Sequence, residues 1–367
     1  MFIENEEGLD THSFRSDILF GECRHIELLK EFASPASPTI NIETPDGVPR
    51  PEFSAFPYSR HSLSPCHLCY NNLVALVELK HAENTVGDFF VDTTCIDCDL
   101  CRQIAPDTFS DVGDQSIVYH QPENVDQEFD ALKALVTCPT ASIGTLSNRS
   151  AKAAVGAYPE LVDDNVSFCG FASESSYGAS SYLIVRPEGN VLVDSPRFAT
   201  PLVKRIGELG GVRLMFLTHR DDVADHEKWA AHFNAERILH RDDVTRSTAN
   251  VERVLTGHEA IELDADLLAI PTPGHTRGHT VLLYRDRYLF TGDHLWWSQA
   301  NDALHASSNV CWYSWAEQTR SMERLLDYEF EWVLPGHGRR VHLSSSLMRE
   351  QLAGCIARMR RRLRAAS

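Results

Sequence analysis

Four short apolar runs in the second half of the chain each stop at a turn that carries potential metal ligands. Residues 212–217 lead into Thr218-His219-Arg220-Asp221-Asp222-Val223-Ala224-Asp225-His226. Residues 267–270 lead into Pro271-Thr272-Pro273-Gly274-His275-Thr276-Arg277-Gly278-His279. Residues 288–290 lead into Thr291-Gly292-Asp293-His294, and residues 332–334 into Pro335-Gly336-His337-Gly338. Short apolar runs bounded by Gly, Pro and Asp read as strands. Strands that all end in imidazole or carboxylate can converge at one rim, a donor set suited to zinc, iron or manganese. A single such residue serves equally well as a turn or cap. Four in order over about 120 residues point to one shared centre.

Further strands are expected at 181–186, 190–194 and 281–284, and helices at 201–209, 227–233 and 315–326. Strands alternating with helices imply layered sheets with helices outside. The 367 residues suit two or three domains at about 150 residues each.

A second motif precedes this region. Cys95-x2-Cys98-x2-Cys101 is followed, after 36 intervening residues, by Cys138-Pro139. Two-residue spacers let three thiolates wrap one iron–sulfur cube, and a distant fourth closes it. A zinc ribbon is the bland alternative. The text from Val91 to Phe109, with Thr137-Cys138-Pro139-Thr140-Ala141-Ser142-Ile143, resembles bacterial single-cluster 4Fe–4S ferredoxins. In two-cluster ferredoxins a further Cys stands before the Pro of the first run. Here Ala105 precedes Pro106, so the resemblance implies one cluster, held by Cys95, Cys98, Cys101 and Cys138. Asp97, Asp99 and Asp107 place negative charge nearby, which disfavours adding an electron.

From about Val166 to Leu347 the chain resembles the metallo-β-lactamase fold superfamily. The matching text is Thr272-Pro273-Gly274-His275, Phe290-Thr291-Gly292-Asp293 and Leu334-Pro335-Gly336-His337-Gly338. The resemblance implies an α/β fold: an αββα sandwich, preceded here by a small α+β ferredoxin-like domain. It implies one or two divalent metal ions, zinc or iron, with His275 on the first, Asp293 bridging and His337 on the second. The superfamily signature His-x-His-x-Asp-His is not intact. His219 keeps its front, Asp225 and His226 its back, and two extra residues lie between. The inferred ligands are His219, His275 and Asp293 for one metal, and Asp225, His226, His337 and Asp293 for another. Asp221 or Asp222 supplies a carboxylate where a His is missing, and Asp225 also orients the nucleophile.

Residues 1–85 read as a largely disordered extension, rich in Ser and Pro between Pro35 and Pro65. A short helix is expected over 71–80. Cys66-x2-Cys69, alone or with Cys23 or His25, reads better as reduced thiols than as a zinc site. The remaining division is 86–148 for the ferredoxin unit, 149–165 for a linker, and 166–367 for the sandwich with a C-terminal helix. Cys169, Cys311 and Cys355 read as small hydrophobes. His279, His294 and Asp194 are candidates for supporting roles. Trp296, Trp297, Trp312, Tyr313 and Trp315 fit either a substrate pocket or ordinary core.

Net charge is −18, which opposes nucleic-acid binding and docking on anionic membrane. No apolar run reaches the roughly 18 residues of a membrane span, and the acidic start is unlike a secretory signal. A cytoplasmic enzyme acting on a small molecule is expected. The first reading is a hydrolase of an ester, thioester or similar bond, with water activated between two metals. The alternative is a non-haem iron oxidoreductase, persulfide dioxygenase-like or diiron O2/NO reductase-like. It would take electrons through the 4Fe–4S domain, with a redox partner protein possible.

Overall fold

The computed structural model describes residues 75–366. Cys23, His25, Cys66, Cys69 and most of the extension lie outside the described residues. Of the helix expected over 71–80, the described part holds a single 3-10 turn, Val77–Leu79. Its backbone is claimed by the neighbouring unit instead. The Leu76 N–H donates to Asp92 Oδ2 at 2.7 Å, and Thr93 N–H donates to Leu79 O at 2.9 Å. Asn84 is buried and bonds Val91 N–H and C=O together with Val118 N–H. Residues 75–85 therefore pack as part of the cysteine unit rather than as an extension.

That unit runs β1 (Phe89–Val91), α1 (Leu100–Ile104), β2 (Phe109–Val112), β3 (Gln115–Val118), α2 (Val125–Thr137) and β4 (Ile143–Thr145). β1 and β4 pair antiparallel, as do β2 and β3. Asn124 caps α2, accepting from Asp126 and Gln127 N–H. Three cysteines follow β1 into α1, and Cys138 stands directly after α2, so the two pairs of elements close over one point.

Residues 149–165 are not a bare linker. They hold α3 (Lys152–Gly156) and β5 (Glu160–Asp163). β5 is the edge strand of the first large sheet, pairing antiparallel with β6 (Val166–Phe168). It is anchored across the sheets, where Asp163 accepts from Tyr288 Oη at 2.9 Å and from Trp332 Nε1 at 3.0 Å. Its four residues are only partly covered, so no apolar alternation marked it.

The chain continues through β7 (Tyr182–Ile184), β8 (Val191–Val193), α4 (Thr200–Glu208), β9 (Leu214–Phe216), α5 (His226–Phe233), β10 (Glu236–His240) and β11 (Arg253–Leu255). β5 to β11 form one seven-stranded sheet in sequence order. Pro201 stands in the first turn of α4, where its missing N–H costs nothing, and Leu202, Val203 and Ile206 are its buried face.

Next come β12 (Ile261–Asp264), β13 (Leu267–Pro271), β14 (Thr280–Tyr284), β15 (Tyr288–Gly292), β16 (Trp296–Ser298), β17 (Ala303–His305), α6 (Trp315–Arg324), β18 (Trp332–Pro335), β19 (Val341–His342) and α7 (Ser345–Ala366). The second sheet has the order β12-β13-β14-β15-β18-β19. Its inner strands β13, β14, β15 and β18 are mostly apolar on both faces, as a sheet covered on both sides requires. Leu282, Tyr284, Tyr288 and Phe290 face the first sheet's core, while Val281, Leu283 and Leu289 pack with Met322, Met348, Leu352 and Ile356 of α6 and α7. The result is an αββα sandwich. The basic end of α7 ties back to the domain: Arg358 donates to Leu304 O, and Arg360 pairs with Glu323 at 2.7 Å. Among the described residues no helix is long and apolar enough to cross a membrane.

Candidate metal centre and cluster site

β9, β13, β15 and β18 all end at the same edge of the sandwich. The turns beyond them bring His219, His275 and Asp293 together in one group, and Asp222, Asp293 and His337 in a second, with Asp293 shared. Asp293 Oδ2 lies 3.7 Å from His219 Nε2, 3.5 Å from His275 Nε2 and 3.9 Å from His337 Nε2. Asp221 Oδ2 lies 3.6 Å from His275 Nε2, and Asp222 Oδ1 lies 3.8 Å from His337 Nε2. These separations are too long for good hydrogen bonds. They approach the about 3.4 Å edge expected between two ligands each about 2.1 Å from one tetrahedral ion.

The donors are also left without partners. His219 Nε2, both ring nitrogens of His275, Asp222 Oδ2 and Asp293 Oδ1 are buried with no hydrogen bond. Leaving one such atom unpaired costs about 1–3 kcal/mol, so a cluster of them facing one point is the signature of an ion's donor set. Without an ion, protons take up part of the charge. Burial opposes it, but Asp293 and Asp222 push the His337 imidazole up to about 9. His275 is likewise raised against burial, by Asp221 and Asp293. Burial raises Asp293, yet His337, His219 and His275 prevail and hold it below the usual carboxylate range.

Buried groups behind the centre aim the ligands. Thr218 donates its N–H and its hydroxyl to Asp194 at 2.8 and 3.0 Å, leaving Oγ1 to accept from His219 Nδ1 at 3.0 Å. That tautomer turns the free Nε2 lone pair to the centre. Gly292 has φ +47°, and a Cβ there would stand 2.6 Å from Thr218 Oγ1 and 2.8 Å from His279 Nε2, so only glycine lets Asp293 reach the rim. His279 and His294 are fully buried and stack with ring centroids 5.0 Å apart. Burial, with His294 and His275 nearby, holds His279 well below its ordinary value. His294 falls to about 3. Both are neutral packing behind His219, not surface residues.

Asp225 and His226 do not join the centre. Asp225 accepts from Phe198 N–H at 2.8 Å and from Lys228 Nζ at 2.7 Å. His226 accepts at Nδ1 from Arg237 Nη1 at 3.2 Å, and its side chain is buried. The two extra residues of the signature complete a turn, with His226 N–H donating to Val223 O, and that turn starts α5. The carboxylate opposite His337 comes from Asp222 instead, three residues earlier. The doubled Asp221-Asp222 was its only signal in the sequence.

The four cysteines of the cluster motif surround one small apolar space with Val91, Leu100 and Ile143. None is in a disulfide. Ser116 N–H donates to Cys95 Sγ at 3.4 Å and Ser142 N–H to Cys138 Sγ at 3.3 Å, the amide contacts that steady cluster sulfurs. Burial pushes the Cys101 thiol up to about 12 and raises Cys98 as well. Asp97 and Asp99 have φ of 57° and 66°, the left-handed turns that wrap the loop. Both pair with Arg102 at 2.7 Å, which offsets the negative charge expected to weigh on the cluster.

The two sites share a cavity. Asp97, Cys98 and Asp99 wall the same space of about 1250 Å³ as Asp221, Asp222, His275, Asp293 and His337. Gly178 makes the junction. Its φ is +82°, and a Cβ there would lie 2.6 Å from Cys98 Cβ. The neighbouring Tyr177 ring stands 6.2 Å from the His337 ring. Of the aromatic cluster after Asp293, Trp296 and Trp312 line this cavity, whereas Trp297 and Trp315 pack into core. Tyr313 lines a separate polar groove. Cys169 and Cys355 are buried, and half-buried Cys311 donates to Gly274 O.

Residues 91–145 match the family model of the 4Fe-4S single cluster domain of Ferredoxin I. The chain is also similar to a metallo-beta-lactamase from Pontibacter korlensis, at 16% identity over 55% of this chain and 97% of that one, TM-score 0.41. A metallo-beta-lactamase superfamily protein from Sulfolobus tokodaii matches at 20% identity over 48% and 79%, TM-score 0.34. The protein TTHA1623, solved in a di-iron-bound form, matches at 22% identity over 45% and 89%, TM-score 0.36. The fold is an αββα sandwich joined to a small unit that matches the single-cluster 4Fe-4S model over residues 91–145.

Proposed function

We propose that the chain is a metal-dependent oxidoreductase in which the cluster unit serves the metal centre. The observation that carries this reading is the shared cavity: a cluster ligand, Cys98, and five residues of the metal centre line one space. A cluster that only braced the fold would have no need to face the substrate. The donor set adds support. His219, His275 and His337 stand with Asp221, Asp222 and Asp293. Carboxylates in place of imidazole make the set harder and favour iron or manganese over zinc.

When bound, a 4Fe–4S cluster supplies single electrons, and a metal pair here supplies Lewis acidity together with, for iron, a change of oxidation state. The chain's own residues do the rest. Cys95, Cys98, Cys101 and Cys138 would hold the cluster. His219, His275 and Asp293, with Asp221 beside them, would hold one ion, and Asp222, Asp293 and His337 a second. Asp194 and Thr218 fix the His219 tautomer. A small redox protein is the electron source this reading requires.

A second reading keeps a specific observation. The second donor group is complete and shares Asp293 with the first, the arrangement that activates water for hydrolysis of an ester or thioester. One experiment separates the two. The chain is purified anaerobically beside a Cys95→Ser, Cys98→Ser variant, and iron, zinc and manganese are counted per chain. Iron retained by the variant is the expected result. Two zinc ions per chain with turnover of thioesters would overturn the redox reading in favour of the hydrolase.

A further inference from the structure

The shared cavity, about 1250 Å³, is far larger than a diatomic gas requires, and aromatic rings stand among the charged residues of its wall. Among the described residues the two most exposed aromatic side chains are Trp312, at 63%, and Tyr177, at 58%. Both belong to the wall of this one cavity. Exposed aromatics in a concave site mark a surface that a ligand covers. They stand at opposite ligands of the centre: the Trp312 ring is edge-on to His275 at 6.2 Å, the Tyr177 ring beside His337 at the same separation.

Neither is a loose surface residue. Trp312 and Tyr313 N–H both donate to His275 O, at 2.9 and 3.1 Å, and Ser314 N–H donates to Gly274 O, clamping that loop to the ligand turn. Tyr177 has φ 49° and donates its N–H to Glu174 O, while Gly178 N–H donates to Ser173 O. With their backbone fixed beside the centre, the two aromatic residues need order little more than their side-chain rotamers when a ligand fills the gap.

Charge points the same way. Two divalent ions would carry four positive charges against the three carboxylates of Asp221, Asp222 and Asp293. Arg220 adds a guanidinium on the same wall; its one ion pair among the described residues is a 3.8 Å contact with Asp221. Of the other acidic residues on this wall, Asp97 and Asp99 share Arg102 and Asp225 pairs with Lys228, while Glu227 stands further round the rim.

We propose that the substrate is an organic anion with a flat, unsaturated body, held between Trp312 and Tyr177 with its anionic group toward the metal centre and Arg220. This rests on the metal-centre reading above and names its substrate class.

The test is anaerobic calorimetry of the full, metal-loaded chain with 1-naphthoate as probe and acetate as the control without a flat body. One naphthoate should bind per chain, and acetate should bind at least about a hundredfold more weakly. Trp312→Ala and Tyr177→Ala should each weaken naphthoate by about tenfold, and Arg220→Gln should weaken it similarly. All three side chains are substantially exposed, and an unchanged visible spectrum of the cluster shows that each variant is folded. Naphthoate binding no tighter than acetate, or indifferent to both aromatic substitutions, would overturn the proposal. Chelator-treated chain separates the two readings. If stripping the metals leaves naphthoate affinity unchanged while Trp312→Ala still weakens it, the metal-centre reading fails and the aromatic clamp stands.

Discussion

At the scale of single residues, the centre turns on which acidic side chain meets His337. Asp222 has a buried oxygen with no partner, while both oxygens of Asp225 are bonded elsewhere. Asp222→Ala should therefore reduce the metal content from two ions per chain to one, and Asp225→Ala and His226→Gln should leave it at two, as elemental analysis would show. Thr218→Val removes the acceptor that sets the His219 tautomer. It should weaken metal binding by about 10–100-fold in a competition titration, with the ligands themselves intact. His226 offers a pH test of its structural role. Burial, then the Arg237 guanidinium, holds its imidazole below the ordinary value. The unfolded chain takes up that proton more readily, so His226 contributes stability that is complete above about pH 6.5 and is lost as pH falls. Denaturant unfolding between pH 7.5 and 5.5 should show a loss that is smaller in a His226→Phe variant.

At the scale of elements, the loop after Ser173 matters more than its irregular text suggests. Gly178 holds a left-handed conformation against Cys98, where a side chain has no room. Gly178→Val should cost about 1–3 kcal/mol in strain alone. It should also lower cluster occupancy, read as the ratio of visible to ultraviolet absorbance. Within the sandwich, Phe290 lies between the sheets with its ring 5.5 Å from that of Tyr182. Phe290→Ala should cost about 3–5 kcal/mol in urea unfolding. The candidate ligand Asp293 lies three residues on, in the turn, so the comparison of metal content with stability separates packing from chemistry.

At the scale of the whole molecule, the cluster unit and the sandwich line one cavity, so the charge on one should be felt by the other. Loading the metal centre adds positive charge beside Cys98 and should make the cluster easier to reduce. Its reduction potential should rise, on the order of tens of millivolts, relative to chelator-treated chain. Equal potentials in the two states would mean that the sites are electrically independent.

Much of this was legible in one dimension. The C-x2-C-x2-C spacing with Cys138-Pro139 is set by the geometry of a cube and needs no tertiary information. Alternating apolar runs ending in His275, Asp293 and His337 revealed the sheets and the rim, because buried strands and ligand turns leave local patterns. Three things had no local pattern. β5 is a short, half-covered edge strand whose anchors, Tyr288 and Trp332, lie more than a hundred residues away. The choice of Asp222 over Asp225 depends on where a turn places two carboxylates in space, which spacing alone left open. The meeting of Cys98, Tyr177 and His337 in one wall joins residues from three distant stretches of chain. The sequence by itself determined which sulfur, imidazole and carboxylate donors the chain carries and how they are spaced. Only the packing of one unit on the other decided that they share a cavity, because that contact is made by shape and not by any repeat along the chain.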